Sequence, residues 1–279
     1  MASRPPRSAG FPATLDTHLR RDSGSTATRP VLRPQLPLQQ AADDAIRAIA
    51  PSGLGLVSVA VRQRMVMRLR EAGVVNEAVL GAFAAVERHR FVDTALANQA
   101  YEDTSLPIGL QQTISKPSVV GRMLALLFAG TQASMQGTQG TQGTLGRVLE
   151  IGTGCGYQTA LLARLARSVT SVERLKALHD KARENLEGLR LVDVRLVFGD
   201  GRLGHAPRAP YQSIIAAAGG EAVPSAWLDQ LAVGGRLVAP VHDAGRGGQA
   251  LLVIDRHAGG LSQQWFEGVH FVPLKSGTT

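Results

Sequence analysis

Leu149-Glu150-Ile151 ends a short apolar run and leads at once into Gly152-Thr153-Gly154-Cys155-Gly156-Tyr157. Three glycines at alternate positions let the backbone turn sharply and let its amides approach a ligand that a Cβ would repel. The pattern after Tyr157 is helical, so the run reads as strand, tight turn and helix start. Free N–H groups at that helix start can meet the oxygens of a ligand. A chain that contains this unit is directed toward a nucleotide-binding type of sheet.

The surrounding pattern agrees. Strands are expected over 148–151, 169–172, 194–198, 212–217 and 236–240, with helices over 157–166, 175–186 and 225–231. Alternation of this kind predicts an α/β, doubly wound, Rossmann-like fold with a parallel sheet and right-handed crossovers. The last two apolar segments, 250–255 and 264–272, have no helix between them and predict an antiparallel strand pair on one sheet edge. Before the sheet, Val61, Met65, Val66 and Leu69 share one helical face and Gly73 is placed to stop that helix. A second helix is expected from an Asn76 cap to about Glu87, burying Val79, Leu80, Phe83 and Val86, and another after Asp93. The expected organisation is therefore a disordered Pro/Arg/Ser-rich extension over 1–50 and one domain over 51–279. Within that domain, 51–129 is a helical cap and substrate segment, 130–146 a flexible Gln-Gly-Thr loop, and 147–279 the cofactor-binding sheet.

The glycine spacing distinguishes cofactor classes. A dinucleotide loop wants Gly-x-Gly-x-x-Gly, and here Gly156 comes one residue early after Gly152 and Gly154. Glu150, two residues before Gly152, can anchor a loop that faces a cation. S-adenosylmethionine carries a sulfonium and an ammonium and no phosphate, so it is the expected cofactor. Glu173 ends the second strand, where an acceptor takes ribose hydroxyls. Asp200 and Gly201 follow the third, where the acid suits the adenine amino group and the glycine leaves room for the ring. Singly, each acid reads as a solvated loop residue; the three on successive strand ends read as a cofactor site.

Composition narrows the remaining classes. Thirty basic against 22 acidic residues give a net charge of +8, but no basic cluster is interleaved with aromatics as a nucleic-acid reader requires. No nucleic-acid partner is expected. A single cysteine, Cys155, excludes an internal disulfide framework and suits a reducing compartment. The histidines lack metal-ligand spacing, so no metal is expected. The start of the chain has Pro5, Pro6, Arg7 and Pro12 and no apolar signal core, and no stretch approaches the roughly 20 apolar residues of a membrane span. The expectation is a cytoplasmic monomer with no membrane partner.

A second motif lies upstream. Tyr101-Glu102-Asp103-Thr104-Ser105-Leu106-Pro107-Ile108-Gly109 runs into Leu110-Gln111-Gln112-Thr113-Ile114-Ser115-Lys116-Pro117, with Arg90-Phe91-Val92-Asp93 before it and Phe271-Val272-Pro273-Leu274 near the end. Together with residues 149–159, these resemble the protein-L-isoaspartate O-methyltransferase family from about Val59 to Leu274. Gly219-Gly220 stands where members of that family often carry proline. The resemblance implies methyl transfer from S-adenosylmethionine to the free α-carboxylate of L-isoaspartyl residues in damaged proteins and peptides. It implies that Ser115 is the active-site serine, that Thr113 and Ile114 line the cofactor and substrate cleft with it, and that Asp103 belongs to a loop closing over substrate. From the residues alone, Ser115 reads more readily as an N-cap for the apolar helix that follows, a role that need not exclude the other. A same-fold methyltransferase acting on RNA or a small molecule is the alternative function. A domain that binds cofactor without turnover and a dehydrogenase are more distant ones.

Overall fold

The computed structural model describes residues 59–134, 144–189, 191 and 193–279. The expected extension over 1–50 and the Gln-Gly-Thr run through residue 143 lie outside the described residues. The described part falls in one compact unit, Pro34–Thr279.

Helix α1 spans Val59–Glu71 and buries Val61, Met65 and Leu69. Gly73, with φ of 92°, takes the left-handed position that ends it. Helix α2 spans Glu77–Ala85, and the Asn76 side chain accepts from the Val79 amide at 3.1 Å. The polar cap at Asn76 and the apolar face of Val79, Leu80 and Phe83 make this helix where the periodicity places it. Two 3-10 turns, Arg88–Phe91 and Thr94–Gln99, then lead to a small antiparallel hairpin, β1 (Leu106–Gly109) and β2 (Gln112–Ile114). Helix α3 runs from Pro117 to Ser134 and so extends past residue 130, where the loop was expected to begin.

The main sheet has seven strands: β3 (Arg147–Ile151), β4 (Ser168–Glu173), β5 (Val194–Phe198), β6 (Tyr211–Ala216), β7 (Leu231–Asp243), β8 (Gly248–His257) and β9 (Gly260–Val269). Their spatial order is β5-β4-β3-β6-β7-β8-β9. The pairs from β5 through β7 are parallel, and β7-β8-β9 is an antiparallel meander at one edge. Helices α4 (Tyr157–Leu162), α5 (Lys176–Glu187) and α6 (Ser225–Gln230) alternate with the parallel strands. The architecture is the expected doubly wound, Rossmann-like α/β fold, with the helical segment preceding it and the added strand pair. Central strands are covered on both faces: every residue of β4 is buried, as is β3 after Arg147.

Several element limits differ from the sequence expectation, and two have a clear local cause. Strand β7 begins at Leu231, not Arg236. Gly234 (φ 78°) and Gly235 bend the strand without ending it, and a Cβ on Gly235 would come 2.9 Å from backbone oxygens of Ala232 and Gln212. The glycine pair therefore resembles a stop in the pattern while acting as a kink. Regular helix α4 ends at Leu162 because the chain must drop to Arg167, whose amide donates to Gly146 O at 2.9 Å to start β4.

The strand order reverses at β3: the chain moves from β3 outward to β4 and β5, then returns to place β6 on the other side. The crevice beyond the carboxyl ends of β3 and β6 is thus the topological switch point, where open α/β sheets bind ligands. Among the described residues no helix is long and apolar enough to cross a membrane.

Candidate active site

At that switch point lies a cavity of about 230 Å³, bounded by the glycine run, the end of β4, the β2–α3 segment and the returning chain at Val272–Lys275. Of the residues singled out from sequence, Thr113, Ile114, Ser115, Gly152, Gly154, Glu173 and Gly201 line it. Glu150, Gly156, Asp200 and Asp103 do not.

The glycine spacing has a direct backbone cause. Gly152, Gly154 and Gly156 have φ of 88°, 55° and 90°, alternating left-handed positions that residues with a Cβ rarely take. Gly156 also lets α4 pack on α5, since a Cβ there would meet Leu186 at 3.1 Å. The resulting loop is fixed from behind by a buried polar cluster. Glu150, with no exposed surface, accepts from Gln158 Nε2 at 3.0 Å and Thr159 Oγ1 at 2.5 Å. Thr153 and Ser171 share a hydroxyl hydrogen bond of 2.6 Å. Burial pushes the Glu150 carboxyl up to about 7, opposed by hydrogen bonds from Ser171, Thr159 and Gln158. Gln158, Thr159 and Ser171 have no motif value in the sequence; only the contact of α4 with β3 and β4 makes them supports of the loop.

Glu173 has two tasks in one carboxylate. One oxygen accepts from the Gly154 amide and the other from the Leu175 amide, each at 2.9 Å. The side chain thereby ties the glycine loop to the start of α5 while facing the cavity, flanked by Val172, Leu175 and Leu178. Asp200 accepts from the Arg202 amide at 2.8 Å and the Gly277 amide at 2.6 Å. Its neighbour Gly201 forms the wall, held by Trp227 Nε1 donating to Gly201 O at 2.8 Å. Cys155 is buried, and burial pushes its thiol up to about 11, so it presents no thiolate.

Ser115 sits between β2 and α3. Its side chain makes no hydrogen bond among the described residues, while its backbone oxygen accepts from Arg88 Nη2 at 2.8 Å. The N-terminus of α3 is instead held by Asp103, whose two oxygens accept from Ser118 N at 2.8 Å and Ser118 Oγ at 2.7 Å. The capping task that competes for Ser115 in the sequence therefore belongs to Asp103 in the structure. Opposite Ser115, the chain from Val272 returns beside Gly219, with Gly219 N donating to Val272 O at 2.8 Å and Leu274 N to Gly219 O at 2.7 Å. A Cβ on Gly219 would lie 2.4 Å from Gln249 Nε2, so a larger residue there requires the Gln249 side chain to move.

The cavity fits S-adenosylmethionine in its donor set: left-handed glycines, an apolar slot beside one carboxylate, and a second carboxyl behind the loop. Comparison with known proteins decides the family. The profile of the protein-L-isoaspartate(D-aspartate) O-methyltransferase family matches residues 60–279. The chain belongs to that family. It is accordingly an S-adenosylmethionine-dependent methyltransferase that methylates isoaspartyl residues. It is 60% identical to the protein-L-isoaspartate O-methyltransferase of Methylibium petroleiphilum over 269 residues, covering 96% of each chain. With that of Leptothrix cholodnii it is 56% identical, covering 99% of this chain and 97% of the other. A solved protein-L-isoaspartate O-methyltransferase superposes with a TM-score of 0.65 at 25% identity, over 77% of this chain and 66% of that one. A Plasmodium falciparum structure, described as a putative member in complex with S-adenosyl-L-homocysteine, shares the fold with a TM-score of 0.62 at 21% identity, over 77% of this chain and 98% of that one.

Proposed function

We propose that Ser115 orients the α-carboxylate of the isoaspartyl substrate at the mouth of the cavity, with Thr113 and Ile114 forming the wall shared by substrate and cofactor. The observation that carries this reading is that Ser115 lines the cavity while its hydroxyl is free of the capping bond, which Asp103 makes. Bound S-adenosylmethionine would supply an electrophilic methyl group beside the glycine loop. Gly152, Gly154 and Gly156 shape that loop, Glu150 anchors it, Glu173 accepts from the ribose, and Asp200 with Gly201 receives the adenine end.

No general base is required. A carboxylic acid with an ordinary pKa near 3.9 is roughly 99.9% ionised at pH 7. With the substrate already a carboxylate, methyl transfer from the bound cofactor would leave the electron pair on sulfur and would ask no protein group to give or take a proton. The residues contribute alignment, worth up to roughly 7–11 kcal/mol in favourable cases, and Asp103 belongs to a segment that closes over substrate and excludes water. The ester then loses methanol as the following backbone nitrogen closes a succinimide, and ring hydrolysis returns part of the damage to aspartate. We place the enzyme in the cytoplasm as a monomer without a nucleic-acid partner, a reading supported by its free buried cysteine and by the lack of a basic–aromatic cluster in its sequence.

The test is methylation of matched isoaspartyl and aspartyl peptides by Ser115→Ala, with calorimetry of cofactor binding. Turnover is expected to fall while cofactor affinity holds. Equal turnover would remove Ser115 from the site. Unchanged affinity in Glu173→Gln and Asp200→Asn would likewise refute their cofactor roles.

A further inference from the structure

Arg88 is an unusual residue for its surroundings. Its side chain is completely buried, yet no carboxylate forms an ion pair with it among the described residues. Nη2 donates to Ser115 O at 2.8 Å and to Thr104 O at 3.3 Å. The guanidinium lies over the Tyr157 ring, 4.9 Å from its centroid. Its Nε and Nη1 meet no acceptor among the described residues. Tyr157, Cys155 and Asp103 are the ionisable groups that act on it; Asp103 is the carboxylate among them, and both of its oxygens are already taken by Ser118. A permanent cation kept in apolar surroundings without a counter-ion in contact is costly. Simple bracing of two carbonyls needs donors but not a charge.

The position of the charge suggests what it serves. Ser115 and Tyr157 both line the cavity, so Arg88 lies directly behind two of its walls. The substrate reaching Ser115 is an anion, and a positive potential behind that residue attracts it through protein, where screening is weak. We propose that Arg88 is a positioning residue that draws the substrate carboxylate to Ser115, acting on binding and not on the methyl-transfer step. The division follows from the chemistry. Transfer neutralises the carboxylate, so a nearby cation stabilises the ground state at least as much as the transition state and gives no gain in kcat. The inference rests on the reading of Ser115 given above.

The experiment compares an isoaspartyl peptide with the same peptide carrying an α-carboxamide, each titrated in the presence of S-adenosylhomocysteine. Arg88→Gln keeps a donor but removes the charge, and Arg88→Lys keeps the charge without the planar fork. The preference for carboxylate over carboxamide should fall about tenfold in Arg88→Gln and stay within about threefold of wild type in Arg88→Lys. In turnover, Arg88→Gln should raise KM about tenfold with kcat within about threefold. Equal weakening of both peptides, with the preference unchanged, would overturn the proposal and leave Arg88 as a brace. If the Gln variant does not fold, Arg88→Met is judged by the same ratio. Ser115→Ala run beside them keeps the two ideas separate: full turnover there refutes the serine reading, whereas the peptide preference reports on Arg88 alone.

Discussion

Replacing Glu150 with glutamine tests whether the cofactor loop rests on a buried acid or a buried anion. The carboxyl has no exposed surface and is pushed up from 4.5 to about 7. The folded protein thus holds this proton more tightly than the unfolded chain. At this group, stability is fully present below about pH 4.5, falls as pH rises toward about 7, and is flat above that. The difference between the two values corresponds to about 3 kcal/mol. Glu150→Gln cannot ionise, and its amide can serve the same two neighbours, because the Thr159 hydroxyl can turn to accept and the remaining oxygen can accept from Gln158. Urea unfolding of both proteins at about pH 4.5 and about pH 8 should therefore show the variant gaining about 3 kcal/mol relative to wild type at the higher pH. A wild-type-to-variant difference that stays constant between the two pH values would refute the argument, since it would mean that the carboxylate is stabilised in the fold as well as in water.

Gly201→Ala would place a Cβ 2.7 Å from Ile151 Cγ2, in a wall that neither side can easily move. It should cost about 1–3 kcal/mol by overpacking and weaken cofactor binding; unchanged melting temperature and unchanged affinity by calorimetry would refute the contact. Asp103→Ala removes both bonds to Ser118 and should cost about 1 kcal/mol of stability as a lost cap. If denaturation shows that loss while kcat/KM is unchanged, Asp103 is a helix anchor and has no part in closure over substrate.

Much of the scaffold was legible because it depends on local chemistry. The cap at Asn76, the stop at Gly73 and the alternation of apolar runs with helices each follow from short-range pattern. The three glycines after Ile151 are legible for the same reason: their φ values are a property of the turn, which only residues lacking a Cβ adopt easily. β7 was misread at its start because Gly234 and Gly235 look alike in sequence whether they end a strand or bend it.

The sequence by itself therefore determined the strand–glycine–helix unit, the order of the parallel strands' elements and the family to which the chain belongs. What the tertiary structure decided is how the charges are spent. Glu150, Glu173, Asp200 and Asp103 are all acids near a motif, yet one is a buried support, one ties the loop while facing the cavity, one holds the chain end at Gly277, and one caps α3. Arg88 carries no signal in the sequence beyond being one basic residue among thirty. Its role arises only when folding strips it of water and sets its fork against the backbone of Ser115. Burial and partner geometry, which set the energy of a charge, are properties of contacts between distant segments, and no local pattern contains them.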